Sequence, residues 1–180
     1  GTKAVYERWL KDQMIWDEDL SGPFVVLIVD KNMRQITYVT DLMLFIPIYR
    51  YRQGNELLLG THIDALAKAA DQTDEVDKIS LADFILNDVV TYPYTVYKNI
   101  FQVSPASITM ETADGILATN VYWVPKEINP YKNIDEAATA LRKGLEGYVE
   151  RITENMKEVA QFLSGGEDSR ALLGIMPRRL

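Results

Sequence analysis

Pro23-Phe24-Val25-Val26-Leu27-Ile28-Val29, followed by Asp30-Lys31-Asn32 and then by Gln35-Ile36-Thr37-Tyr38-Val39-Thr40, sets the architecture of this chain. The first run is unbroken and apolar, as expected of a strand covered on both faces, whereas the second alternates between apolar and polar residues. The polar turn between them joins two strands as a hairpin, so the sheet is expected to be antiparallel. Pro47-Ile48-Tyr49-Arg50-Tyr51, a turn at Gln53-Gly54-Asn55, and Glu56-Leu57-Leu58-Leu59 repeat the device.

Before the first hairpin, Tyr6, Trp9, Leu10 and Met14 fall at helical spacing, which predicts a helix from Tyr6 to Trp16 ended by the acidic run Asp17–Asp19. After the second hairpin, Thr61 with Asp64 and Ser80 with Asp83 read as helix starts of the capping-box type. The charged stretch 71–78 between them reads as a solvated connection. Beyond Pro93 the chain is extended and aromatic, and Asp114-Gly115 divides Ser107–Met110 from Ile116–Trp123 as a third hairpin.

Two prolines, Pro125 and Pro130, mark a linker over residues 125–133, dividing a domain at 1–124 from a segment at 134–180. In that segment Ile134, Ala138, Leu141, Leu145, Tyr148, Val149, Ile152 and Met156 trace one helical face, with Asn133 as its cap and Asp135 and Glu136 suited to its N-terminal dipole. The apolar run Val159–Leu163 then reads as a strand, and Ser169–Met176 as a helix. Between them lies Ser164-Gly165-Gly166-Glu167-Asp168. Glycines permit close backbone approach, and the amides opening a helix offer donors to an anion. Ser164 and Ser169 add hydroxyls, and a carboxylate at Asp168 beside phosphates would suit Mg²⁺. The same residues also describe an ordinary capped turn, and spacing alone leaves both readings open.

A net charge of −7 argues against nucleic acid or an anionic membrane surface as partner. The absence of cysteine removes disulfides and thiol nucleophiles and fits a reducing compartment. With neither a long apolar stretch nor a basic, apolar leader, the expectation is a soluble cytoplasmic protein. His62 is the sole histidine, which gives no support to a histidine metal site or a Ser-His-Asp triad and is read as a cap or surface residue. Asp17, Glu18 and Asp19 lack the spacing of a calcium loop, and Tyr92, Tyr94 and Tyr97 are expected to pack against a sheet or interface. Gly1-Thr2 is read as a cut end rather than an N-terminal nucleophile, and Arg178 and Arg179 as a charged tail.

Ser-Gly-Gly-x-Asp-Ser after an apolar run resembles the pyrophosphate loop of ATP-pyrophosphatase enzymes, and the segments upstream resemble the asparagine synthetase family. Leu20-Ser21-Gly22-Pro23-Phe24 through Asp30 is similar to its glutaminase strand Leu-x-Gly-x-Phe...Asp. Asp41 through Pro47-Ile48-Tyr49 is similar to its Arg-Asp-x-x-Gly-x-x-Pro-Leu-Tyr hairpin, with Thr40 in place of the Arg and Leu44 in place of the Gly. Gly60 to Leu66, Thr95 to Ile100, Ser104 to Ser107, and Tyr122-Trp123 follow in matching order.

The resemblance implies an α+β fold: a mainly antiparallel sheet with helices, part of an Ntn-hydrolase-like sandwich, followed by the first helix, strand, loop and helix of a parallel α/β ATP-pyrophosphatase domain. It further implies ATP and magnesium as cofactors, with Leu163, Ser164, Gly165, Gly166 and Ser169 on the nucleotide and Asp168 on the metal. The intact enzyme would adenylate a small-molecule carboxylate for attack by ammonia or another amine. Without a cysteine or the family's glutamine-binding segment, this polypeptide is expected not to hydrolyse glutamine, and to be inactive as a ligase by itself. A homo-oligomer or a second chain could supply the missing parts. The alternative is a noncatalytic binding or assembly module that pairs with a partner chain.

Overall fold

In a computed structural model, which describes residues 1–177, the chain divides into two units, Gly1–Pro125 and Lys126–Leu180. The first unit carries two antiparallel sheets. Strands β1 (Val25–Asp30), β2 (Gln35–Thr40), β6 (Ser107–Thr112) and β7 (Gly115–Val121) form one, in the order β1-β2-β6-β7. Strands β3 (Tyr49–Gln53), β4 (Glu56–Gly60) and β5 (Ile100–Gln102) form the other, in the order β4-β3-β5. The three expected hairpins are present, each paired antiparallel. The fold is α+β, and the facing of its two sheets is consistent with a sandwich.

Period-2 alternation sorts the residues of β3 between two environments. Tyr51 packs on one side with Leu66, Ala67 and Ile100, where helix α3 (Ile63–Ala69) covers the three-stranded sheet. Ile48, at the entry to β3, packs with Tyr38 and Val103 toward the four-stranded sheet, with Val25, Ile36 and Leu59 against them. The layers are therefore helix, sheet and sheet.

β1 departs from expectation. It is an edge strand, and Leu27 and Val29 are 54% and 59% exposed, so it is not covered on both faces. An apolar run reports which residues could be buried, not whether a neighbouring strand lies beside them. The N-terminal helix also ends earlier than expected: α1 spans Thr2–Leu10, and the acidic run lies within a separate short helix, α2 (Trp16–Asp19). Asp19 explains the break, because its carboxylate accepts the Ile15 N–H at 2.8 Å and pairs with Arg8 at 2.7 Å.

Both internal capping assignments shift by one element of detail. The cap of α3 is His62, whose Nδ1 accepts the Ala65 N–H at 3.4 Å, in place of Thr61. The cap of α4 (Lys78–Asn87) is Asp77, in place of Ser80. Ser80 is buried and donates to Asp77 Oδ2 at 2.9 Å. Asp83, expected as its capping partner, instead accepts from Asn87 and Thr91 at the far end of the helix. The stretch before α4 is less detached than its charge suggests, since Val76 bridges to Tyr97 and Glu75 pairs with Lys98 at 2.9 Å.

In the second unit α5 covers Ile134–Thr153, capped by Asn133, which accepts the Glu136 N–H at 2.9 Å. Glu136 reciprocates by accepting the Lys132 N–H at 2.9 Å, close to the box arrangement that satisfies two orphan donors. The run Val159–Leu163 is not a strand: it pairs with no strand among the described residues, and without a ladder an apolar segment has nothing to fix it as β structure. α6 spans Glu167–Ile175 and so begins two residues before its expected start at Ser169. No helix among the described residues is long and apolar enough to cross a membrane.

Candidate functional site

The glycine loop of the second unit is built around two hydroxyls. Ser164 and Ser169 place their Oγ atoms 3.0 Å apart. The Ser169 hydroxyl accepts the Ser164 N–H at 3.2 Å, and the Ser164 hydroxyl accepts the Gly166 N–H at 3.1 Å. Gly166 stands at the N-cap of α6 with no side-chain cap, and a Cβ built at Gly165 would meet nothing within 4 Å. Leu163 is 59% exposed, and Gly165, Gly166, Glu167 and Asp168 also lie at the surface. The loop thus brings Ser164, Gly165, Gly166 and Ser169 together in one bend, with Asp168 in the first helical turn beside Glu167.

A phosphate is suited by the two hydroxyls, the helix N-terminus and the open position at Gly165, while the amides of Ser164 and Gly166 are bonded to those hydroxyls. The two carboxylates in the first turn oppose an anion unless a cation lies between. Gln161 adds an unexpected feature. Its Nε2 donates to Ser169 O at 2.6 Å, while its Oε1 is a buried acceptor without a partner among the described residues. Among those residues no three His, Cys, Asp or Glu side chains converge as a ready-made metal site. Arg178 and Arg179 lie outside the described residues.

The first unit holds a denser polar cluster, one that sequence reading missed. Glu111 on β6 is fully buried, yet it carries a carboxylate. Arg50 on β3 donates from Nε to Oε2 at 2.9 Å and from Nη2 to Oε1, Arg52 donates from Nη1 to Oε1 at 2.7 Å, and the Tyr38 hydroxyl donates to Oε2 at 3.1 Å. Arg52 continues to the carbonyls of Thr112, at 2.9 Å, and Ala113. Burial by itself pushes the Glu111 carboxyl upward, but the hydrogen bonds and charges of Arg50 and Arg52, with the Tyr38 hydroxyl, hold it below the usual carboxylate range. Burial, then the charge and hydrogen bond of Glu111, push the Tyr38 hydroxyl far above its ordinary value.

The signal was present as alternation. Ser107, Thr109 and Glu111 are all buried on one face of β6, and Arg50 and Arg52 share one face of β3. Each is polar, however, and alternation by itself does not distinguish a buried polar face from a solvated one.

Residues 3–123 match the sequence family described as a glutamine amidotransferase domain. The chain belongs to that family. Asparagine synthetase (glutamine-hydrolyzing) 3 of Bacillus subtilis is 26% identical over 174 residues, covering 94% of this chain and 28% of the relative. A protein of Methanocaldococcus jannaschii assigned the name asparagine synthetase (glutamine-hydrolyzing) 2 is 23% identical over 165 residues, covering 88% of this chain and 32% of that relative. This amidotransferase-family chain is an asparagine-synthetase-like piece, and it spans about a third of the length of the curated relatives it matches.

The two departures from the family's hairpin pattern become legible in this amidotransferase domain. Thr40 is fully buried and acts as a hub: its hydroxyl donates to Ser104 O at 2.7 Å and accepts the Ser107 N–H at 3.0 Å. The Tyr122 hydroxyl donates to the Thr40 carbonyl at 2.5 Å, and burial, with Asp41 and Asp17 nearby, pushes that hydroxyl up to about 12. Asp41 is 1% exposed and accepts backbone N–H groups from Met43 at 3.1 Å, Phe45 at 3.0 Å and Ile46 at 3.2 Å. Leu44, within the loop so tied, has φ +55°, a conformation that glycine adopts without strain.

Proposed function

We propose that the chain joins the later part of a glutaminase-like domain to the opening of an ATP-pyrophosphatase domain, within a longer ATP-dependent, AMP-forming amide ligase. One observation carries the reading: the match to the asparagine synthetase of Bacillus subtilis extends over 174 residues, more than the first unit, Gly1–Pro125, can supply. The glycine loop therefore belongs to a segment related to those enzymes, and its donor set suits a phosphate group.

In this reading the Ser164 and Ser169 hydroxyls and the Gly165 amide bind the phosphates of ATP, the Gly166 amide exchanges its bond to the Ser164 hydroxyl for a phosphate oxygen, Leu163 lies beside the nucleotide, and Asp168 holds Mg²⁺. ATP supplies the adenylyl group that activates a carboxylate, with pyrophosphate as the leaving group. The loop's own contribution is to fix those phosphates and neutralise the charge that develops on them. A small-molecule carboxylate and ammonia or another amine are the substrates of the longer protein, in a reducing compartment such as the cytoplasm. The chain contains no cysteine and therefore no thiol to attack glutamine, so glutamine hydrolysis is not proposed for it.

The test is a calorimetric titration of ATP with Mg²⁺ into the chain, its Gly166→Val variant and its Asp168→Ala variant. Saturable binding that both substitutions weaken at least tenfold is expected. Binding that neither substitution changes would place the nucleotide elsewhere and overturn the reading.

A second reading, a noncatalytic module that pairs with a partner chain, draws on β1. That strand is an edge of its sheet and exposes Leu27 and Val29, and an apolar edge of this kind is a template for strand pairing. A tight complex by sedimentation, together with no nucleotide binding, is the result it requires.

A further inference from the structure

The Glu111 cluster is unbalanced in charge. One carboxylate, itself fully buried, stands between two guanidiniums whose side chains are only 18% and 16% exposed. Tyr38 contributes no charge, since its hydroxyl is held protonated as the donor to Glu111. One positive charge is therefore left over in a part of the protein where water screens it poorly.

A cavity of about 170 Å³ opens beside it, between the two sheets, and Arg50 forms part of its wall. Thr109 and Thr119 contribute hydroxyls bonded to each other at 3.2 Å, and Ser104 contributes one bonded to the Tyr92 hydroxyl. Phe101 and Ile116 give it apolar surface. No aspartate or glutamate lines it. A guanidinium with its Nη1 side open, hydroxyls that can turn from one another to a ligand, apolar walls and no acid in the lining define the ligand's chemistry. The head must be a small anion, and the body must be short and apolar.

We propose that this cavity binds a small organic carboxylate, anchored on Arg50 and hydrogen-bonded by the Thr109 and Thr119 hydroxyls. Glu111 occupies the Nε–Nη2 edge of Arg50, so the carboxylate takes the Nη1–Nη2 edge, whose planar fork fits it better than a tetrahedral anion, and Phe101 and Ile116 accept the aliphatic part. The site lies wholly within the first unit and does not depend on the nucleotide loop.

The experiment is an NMR titration of ¹⁵N-labelled chain with sodium acetate against sodium chloride at constant ionic strength, following the Arg50 Nε–H and the amides of Ser104, Thr109 and Thr119. Saturable shifts with acetate, absent with chloride, are expected in the wild-type protein. The Thr109→Val/Thr119→Val variant keeps the Arg50–Glu111 pair intact, so it should remain folded while its acetate affinity falls at least tenfold. Arg50→Met should abolish the saturable shifts. Equal shifts with the two salts, or undiminished acetate affinity in the folded double-valine variant, would overturn the proposal.

Discussion

Arg50 on β3 reaches across the sandwich to Glu111 on β6, with Nε 2.9 Å from Oε2 and a second bond from Nη2 to Oε1. The two sheets are thus tied by a bidentate ion pair as well as by the Tyr38, Ile48 and Val103 cluster. A buried pair is costly to form but still more costly to break, because removing one partner strands the other. Glu111→Ala leaves Arg50, Arg52 and the Tyr38 hydroxyl facing one another and should lower unfolding free energy by about 3–5 kcal/mol in urea denaturation.

The same pair sets an acid limb of stability. The Glu111 carboxyl is held below its ordinary value in the folded chain, so the unfolded chain takes up a proton there first as pH falls. Its contribution is complete above the unfolded carboxylate value of about 4.3 and is lost progressively as pH drops through the depressed folded value. Urea midpoints of wild type and Glu111→Gln measured from pH 7 to pH 3 should converge toward the acid end. Curves that stay parallel would remove Glu111 from the acid response.

Asp41 organises its loop through three backbone donors, those of Met43, Phe45 and Ile46. Asp41→Ala leaves all three without that acceptor in a part-buried loop and should cost about 3 kcal/mol. Asp41→Asn, which keeps one acceptor oxygen, should cost less. Chemical denaturation of the pair gives the ordering.

Leu44 is the residue at which the loop stores strain. A left-handed backbone costs a non-glycine residue roughly 1–2 kcal/mol, partly offset by the extra freedom glycine has when unfolded. Leu44→Gly should therefore raise stability by up to about 1 kcal/mol, whereas Leu44→Val, with branching at Cβ, should lower it. Thermal melts distinguish the two signs.

Glu167 and Asp168 both stand in the first turn of α6, where they repel an anion approaching Ser164 and Ser169. Phosphate affinity at the loop should consequently depend on a divalent cation. Removing Mg²⁺ with EDTA should abolish ATP binding by calorimetry, and Glu167→Gln should restore part of it without the metal. Equal affinity with and without Mg²⁺ would argue against a metal-assisted loop.

The hairpins were legible in the sequence because each pairs an apolar or alternating run with a turn chemistry that fixes its hand: Gly54, at φ +56°, closes β3–β4, and Asp114-Gly115 closes β6–β7. The helix Ile134–Thr153 was legible from its period and from Asn133. What failed was whatever depends on a neighbour. Val25–Asp30 reads the same at an edge as in a sheet centre, and Val159–Leu163 has strand composition but no ladder. His62 and Asp77 displaced Thr61 and Ser80 as caps because several adjacent residues can serve, and backbone geometry chooses among them. The glycine loop was visible as a motif, whereas Glu111 needs two sheets in contact before its charge has any meaning.

The register between β6 and β7 slips between Met110 and Glu111: Met110 faces Ala118, Glu111 faces Ile116, and Leu117 is left as the supernumerary residue. Strict alternation would send Ile116 and Thr119, an odd number of positions apart, to opposite sides of the sheet. The slip lets both line the same 170 Å³ cavity. Excising Leu117 would leave the two residues an even number of positions apart and still on one side, so it is the slip, by absorbing one surplus residue, that keeps the wall of that chamber intact.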